Sequence, residues 1–333
     1  MKLSWRKLLF IAVMIGMLAA VFILASCSGD ETETAGAEGS GEDCAVCHND
    51  SDQIVFAKSL QWETSGHGEG TSYLRGTSPG CAGCHAGSGF TAMIAAGVNP
   101  EGVQQGQTNP TPQNCRTCHE IHTTYTDEDW TLTTTAPVTL FVSGQTYDGG
   151  KGNLCANCHQ PRREMEAENG MVNWNSTHYG PHHGPQSTML LGIGGAGVTG
   201  KASAHYSMVE DTCVTCHVVN DVHTMAPNVE SCLSCHADAE DFNINGLQTE
   251  VDELIEELTV LLSEKHMLET SAHEPYHTGM PLEDLHPVVG EYPEDQAAAL
   301  WNYIYIVVED GSRGVHNPSY TKALLEKSIE ALQ

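Results

Sequence analysis

Basic residues are scarce in this 333-residue chain. It has 14 Lys and Arg against 43 Asp and Glu, a formal charge of −29. Nucleic-acid binding needs Lys and Arg clustered against phosphate, so that class of partner is excluded. Aromatic residues make up only 6 %. That is little for a conventional core, so something other than side chains must fill the interior. Spare cysteine is lacking too. Of the 13 cysteines, twelve fall in one repeated pattern and only Cys27 stands outside it, which leaves none for a structural disulfide within the chain. Long periodic segments are missing before Gln248, where glycine and short turns dominate.

The repeated pattern is Cys-x-x-Cys-His. It occurs at Cys44–His48, Cys81–His85, Cys115–His119, Cys155–His159, Cys213–His217 and Cys232–His236. Every Cys-x-x-Cys in the chain is followed directly by His. Zinc ribbons pair Cys-x-x-Cys units but do not require that histidine. Thioredoxin-like redox sites seldom occur six times in a chain. A disulfide framework has irregular spacings and no fixed histidine. The pattern is the attachment motif of c-type haem, in which two thiols form thioethers to the haem vinyl groups and the adjacent histidine becomes the proximal iron ligand. The attachment residues are Cys44, Cys47, Cys81, Cys84, Cys115, Cys118, Cys155, Cys158, Cys213, Cys216, Cys232 and Cys235. The proximal ligands are His48, His85, His119, His159, His217 and His236. The cofactor expectation is six c-type haems with their iron.

From Cys44 to His236 there are about 32 residues per motif. Such a segment cannot enclose each haem in its own helical domain. The haems must lie against one another as the core, with single turns and loops around them. The fold class expected is mainly α with much irregular loop: a haem-packed multihaem cytochrome with a helical C-terminal region.

Eighteen histidines are present, and six belong to the motifs. The other twelve exceed what six bis-histidine haems need, so His/His ligation is favoured over Met/His, which would raise the potentials. Context selects six distal candidates. His67 lies in WETSGHGEG, where glycine permits close approach to a flat ring. His122 lies in CHEIH, three residues after His119. His205 precedes the fifth motif, and His223 sits in the loop between the fifth and sixth. His182 is chosen from STHYGPHHGPQ, with His178 and His183 as alternates. His316 directly precedes a rigid helix start.

The N-terminus reads as a targeting segment. Lys2, Arg6 and Lys7 precede an apolar run from Leu8 to Ala25. Leu24-Ala25-Ser26-Cys27 resembles the lipobox of a bacterial lipoprotein signal, with Cys27 the lipidated residue. The alternative is an uncleaved anchor helix. Loss of the three basic residues takes the charge from −29 to about −32. The division expected is 1–26 signal peptide, 27–43 lipidated flexible acidic tether, 44–246 six-haem domain and 247–333 helical region packing on it.

In the last region Thr249-x-x-Asp252 reads as a capping box. It opens an amphipathic helix through Leu254, Ile255, Leu258, Leu261 and Leu262. Pro293, Glu294 and Asp295 start a second helix that Gly311 ends. Asn317 and Pro318 are a good N-cap and first position for a third, running to about Leu332.

GVHNPSYTKALL and HYGPHHGPQSTMLLG, with the six motifs, resemble bacterial multihaem c-type cytochromes. This broad group includes cytochrome c-554, the pentahaem nitrite reductases, the hydroxylamine oxidoreductases and the octahaem tetrathionate reductases; the chain reads as a hexahaem lipoprotein member. The resemblance implies stacked and perpendicular haem pairs, mostly bis-histidine, and a helical C-terminal region. No Cys-x-x-Cys-Lys, the catalytic motif of many nitrite reductases, is present.

The function expected is extracytoplasmic electron transfer by a membrane-anchored carrier in anaerobic respiration, without catalytic residues. Its partners would be other cytochromes, quinol-oxidising complexes or extracellular acceptors. The alternatives are a reductase of nitrite, hydroxylamine or a sulfur oxyanion at one open haem, and a subunit of an extracellular cytochrome filament. Arg162 and Arg163, the only adjacent arginines, read as partners of haem propionates. The location would be the periplasm or outer membrane of a diderm, or the outer face of the cytoplasmic membrane of a monoderm.

Overall fold

A motif of spacing i, i+3, i+4 puts both thiols and the imidazole on one side of a helical turn, and the chain closes such turns at the motifs. In the computed structural model, which describes residues 53–182 and 184–333, the His85, His119, His159 and His236 amides each bond to the carbonyl of the first cysteine of their motif at 2.8–2.9 Å. Residues 1–52 and His183 lie outside the described residues. With them lie the signal and tether expectations, Cys27 and the first motif (Cys44, Cys47 and His48).

The chain up to about residue 246 consists of short helices joined by irregular loops. They are α1 (Gln53–Glu63), α2 (Ala82–His85), α3 (Gly87–Ala96), α4 (Cys115–Cys118), α5 (Asn153–Ala156), α6 (Gln186–Leu191), α7 (Ala204–Met208) and α8 (Cys213–His217). A two-stranded ribbon of β1 (Val138–Thr139) and β2 (Thr146–Tyr147) stands before α5. The fold is mostly helical with much loop and little strand, as motif density and glycine content imply.

Close approach between loops explains some of the glycine. A Cβ on Gly152 would fall 2.0 Å from Thr212 Oγ1, and one on Gly149 2.5 Å from it. Only glycine at those positions lets the segment before α8 lie against the turn of the fourth motif. Asp211 and Thr212 themselves adopt left-handed φ of 56° and 36°, an uncommon state for residues with a Cβ.

The C-terminal part has a conventional core. Helix α9 (Leu247–Glu264) buries Val251, Ile255, Leu258 and Leu262, spaced as one stripe of a 3.6-residue helix, while its acidic residues mostly face outward. Helices α10 (Glu294–Tyr303) and α11 (Pro318–Leu332) add Ala297, Leu300, Trp301, Leu324, Leu325 and Ile329. Each fully buried Leu or Ile contributes about 1.5–3 kcal/mol. This core also takes in Met189 on α6, and Val172 and Trp174 on β3 (Met171–Trp174). Strand β3 pairs antiparallel with β6 (Gly290–Pro293), in register Met171 with Pro293 and Trp174 with Gly290. A second ribbon joins β4 (Leu268–Thr270) to β5 (Leu285–Pro287). The C-terminal helices and residues 171–191 therefore share one core.

The first of these helices departs from its expected start. It begins at Leu247, after Gly246 in a left-handed conformation at φ 77°. Asn243 Oδ1 accepts from the Thr249 amide at 3.1 Å, and its Nδ2 donates to Thr249 Oγ1 at 2.9 Å. With its amide already satisfied by Asn243, Thr249 sits inside the helix instead of capping it. The last helix starts at Pro318, where Asn317 Oδ1 accepts from the Tyr320 amide. Among the described residues no helix is long and apolar enough to cross a membrane.

Candidate functional site: five facing histidine pairs

Among the described residues, five ring pairs each join a motif histidine to one from elsewhere in the chain. His159 faces His67 at 6.2 Å between ring centres, and His85 faces His182 at 6.5 Å. His119 faces His223 at 6.3 Å, His236 faces His205 at 6.5 Å, and His217 faces His316 at 6.3 Å. Two imidazole nitrogens on opposite sides of one first-row metal stand about 2 Å from it each, with each ring centre about 1.1 Å further back, so the ring centres of such a pair fall about 6.2 Å apart. All five pairs fit that spacing. Three are near-perpendicular (69°, 68° and 78°), and the His119–His223 and His217–His316 pairs are tilted by 32° and 40°.

The second nitrogen of most of these rings is already engaged. Nδ1 of His119 donates to Trp130 O at 2.7 Å, that of His205 to Val315 O at 2.6 Å, and that of His217 to Met225 O at 2.8 Å. Nδ1 of His223 donates to Asp221 O at 2.7 Å, and that of His159 to Gln186 Oε1 at 3.0 Å. His316 differs, because its Nδ1 donates to the Asp310 carboxylate at 2.7 Å. A committed Nδ1–H leaves Nε2 with a lone pair for a metal, and the partner also fixes ring orientation. Burial, and then the facing His159 ring, pull His67 down to a pKa of about 4. Burial lowers His119 in the same way. Both are neutral, ligand-ready imidazoles at pH 7.

Distant elements hold these rings. Helix α1 presents Gln61 Oε1 to the His223 amide at 2.9 Å, and Lys58 Nζ donates to the Asp221 carbonyl, so the loop carrying His223 is tied to that helix. After α10 the helix widens into a π-helical stretch, Ile304–Asp310, closed by Gly311 at φ 65°. Its Glu309 carbonyl accepts from Gln186 Nε2 at 2.8 Å, and Gln186 in turn holds His159. Asp310 holds His316, and Val315 O holds His205. The segment 309–316 thus orients rings in three of the five pairs. Gln186 and Asp310 were not singled out by sequence reasoning. A usable signal was present in Asp310: an acidic residue at a helix C-terminus opposes the helix dipole and needs another reason to be there.

The thiols make a connected set. The ten described motif cysteines are all free. The Cys84 and Cys158 side chains are within hydrogen-bond reach, as are Cys155 and Cys213. Cys158 Sγ also approaches Gly83 O at 3.7 Å. The Asn228 amide bonds to Cys216 O at 3.4 Å, bringing the last two motifs together. The second, fourth, fifth and sixth motifs are therefore neighbours in that order. The third lies beside the fourth, through Cys118 near Cys155 and Cys158. Burial pushes Cys118 up to a pKa of about 11.

These residues fit covalent haem. Among the described residues, ten of the twelve large apolar side chains that are exposed, among them Ile54, Phe56, Leu74 and Met208, lie before residue 247. A large planar apolar group packed between the loops would cover such side chains. The Arg162 Nε is buried without a hydrogen-bond partner, in a recess lined by Cys84, His85, Cys158 and His182. A guanidinium so placed suits a carboxylate such as a haem propionate. Arg163 is exposed. Among the described residues no three His, Cys, Asp or Glu side chains converge to hold a metal ion as a zinc ribbon would.

His178 is exposed, and its alternate His183 lies outside the described residues. The His122 ring stacks on Tyr125 at 5.6 Å and shares a hydrogen bond with Arg116. Its loop is organised by Asp129, whose buried carboxylate accepts the amides of His122, Thr123, Thr124 and Tyr125 at 2.6–3.2 Å and the Thr124 hydroxyl at 2.8 Å. Burial pushes that carboxyl up, but these donors together bring it down to about 2. A folded pKa below the unfolded value of about 3.9 gives stability that is present above pH 4 and lost as pH falls towards 2. Amide exchange at residues 122–125, measured from pH 5 to 2, is expected to accelerate about tenfold beyond its intrinsic pH dependence across that window. Asp129→Asn is expected to show the fast exchange already at pH 5.

Residues 27–120, which hold the first three motifs, match the family model described as cytochrome c7 and related cytochrome c. No curated protein matches the chain. The structure is similar to the crystal structure of the outer cell wall cytochrome OcwA, with a TM-score of 0.52 and 22 % identity, over 83 % of this chain and 50 % of that one. The chain therefore spans about half the length of that cytochrome, and at this identity the likeness is one of fold. The family match, the fold and the five ring pairs together support a multihaem c-type cytochrome.

Proposed function

We propose that the protein carries electrons outside the cytoplasm through six covalently attached haems, each held between two histidines. A c-type haem, when bound, supplies a one-electron iron couple whose potential follows its axial ligands, hydrogen bonding and exposure. In this reading the twelve motif cysteines anchor and the motif histidines ligate from one side. His67, His182, His223, His205 and His316 ligate from the other. For the remaining haem, His48 would be the proximal ligand of its motif and His122 is the remaining distal candidate. The observation that carries the reading is the set of five facing rings at 6.2–6.5 Å. A carrier needs its irons closed on both faces, whereas a reductase needs one open. The contacts between neighbouring motifs supply a continuous route through the array.

Cys27 is the proposed lipid anchor and residues 28–43 the tether, which keeps residues 44–246 near a membrane surface with 247–333 as their buttress. Redox proteins or extracellular acceptors would exchange electrons with the array. Their docking faces would have to suit a surface of charge about −32 once the signal peptide is removed.

The test is a low-temperature EPR spectrum of the oxidised holoprotein with a carbon monoxide difference spectrum of the reduced form. The expected result is low-spin signals alone and no carbon monoxide adduct. A high-spin signal of one haem per chain that also binds carbon monoxide would replace this reading with a reductase, and nitrite and hydroxylamine would be the first substrates to assay.

A further inference from the structure

The residues that hold the ring nitrogens are not equivalent. Four of the Nδ1 partners are backbone carbonyls and one is the neutral amide of Gln186. His316 instead donates to a carboxylate, Asp310. The Asp310 side chain is fully buried, at 0 % exposure. Its donors are His316 Nδ1, the Ser312 amide at 3.2 Å and the Ser312 hydroxyl, and no Lys or Arg pairs with it among the described residues. It also sits at the end of a helix, where the dipole disfavours negative charge. A buried carboxylate in such a place costs stability. The π-helical widening that precedes it is rare and is found mostly at functional sites.

We propose that Asp310 lowers the potential of the haem held between His217 and His316. The proposal rests on the bis-histidine reading above. A carboxylate on Nδ1–H raises the basicity of the ligating imidazole. A more basic ligand favours the ferric over the ferrous iron, and so lowers the potential. The neutral partners of His119, His159, His205, His217 and His223 give those rings no such bias. Asp310 acts through His316 and is a positioning and tuning residue, not a ligand.

The experiment is a spectroelectrochemical titration of the holoprotein, followed by optical absorbance and by EPR, for the wild type and for Asp310→Asn. The amide keeps an acceptor for His316 and removes the charge. The expected result is that one of the six one-electron steps moves up by about tenfold in its equilibrium constant, about 59 mV. The other five should stay in place, and the EPR signal that moves should be one of the low-spin set. Val308→Ala, on the same stretch but exposed, should leave every step where it was. Six unmoved steps in Asp310→Asn, movement of more than one step, or an equal shift in Val308→Ala overturns the proposal. The two readings fail separately. Carbon monoxide binding by the wild type removes the closed array, whereas the positions of the steps in Asp310→Asn decide the role of the carboxylate.

Discussion

Replacing His67 by alanine is expected to convert a protein that binds no carbon monoxide into one that binds one molecule per chain. His67 is the ring that faces His159, and its partner is fixed independently through Gln186 Oε1. Removing the His67 side chain therefore takes away one axial nitrogen and leaves the other in place. Cys155 and Cys158 are untouched, so six haems should still be attached. The altered haem becomes five-coordinate and high-spin in the reduced form. Its potential should rise by roughly 100 mV or more, since axial ligation spans a range of about 0.8 V across proteins. His178→Ala is the control: that ring is exposed, and its loss should change neither the spin state nor gas binding. Titration with carbon monoxide, followed by optical difference spectra, reads both variants. A His67→Ala protein that retains six low-spin haems would mean that another side chain, or none from this loop, completes the coordination of the His159 site.

Trp301→Ala carries the largest expected loss of stability, about 3–5 kcal/mol for a buried Trp truncated to Ala. Trp301 is 1 % exposed, its ring packs edge-on against Tyr179 at 6.1 Å, and its Nε1 donates to Gly194 O at 3.0 Å. The loss combines a cavity with a carbonyl left without its donor. Against a typical total of about 5–15 kcal/mol, it removes a large share. It should also reach the haem array, because α10 leads directly into the stretch that ends at Glu309, Asp310 and His316. Denaturant unfolding of the holoprotein checks the energy. Val308→Ala, on the same stretch but 54 % exposed, should change stability by no more than about 0.5 kcal/mol. If the two variants unfold at the same denaturant concentration, the shared core described here does not stabilise the molecule.

What could be read from the sequence follows from how local each feature is. The motif needs two thiols and an imidazole on one turn, so five consecutive residues spell it. The fold class follows from motif density, which leaves no room for long helices before Gln248. The last helix is legible because Asn317 and Pro318 encode its first turn. Other features depend on residues far apart in the chain. Nothing in WETSGHGEG indicates that His67 faces His159, or that His316 faces His217; those meetings depend on loops closing around the interior. Thr249 misleads because Asn243, six residues earlier, satisfies its amide first. Gln186 and Asp310 escape notice for a related reason. Their effect lies in orienting His159 and His316, and it becomes visible only once α6 and the π-helical stretch lie side by side. Gly149 and Gly152, just before the fourth motif, are where Thr212, 60 or more residues later, presses against the backbone, a contact that nothing local in the sequence announces.

The central claim is that these cysteines exist to carry haem, and the intact mass of the purified, exported protein tests it most directly. The account predicts a polypeptide mass increased by six haems that survive denaturation, together with a pyridine haemochrome spectrum of the c-type at six haems per chain. A chain of unmodified polypeptide mass, or one with fewer than six covalent haems when maturation is complete, would contradict it.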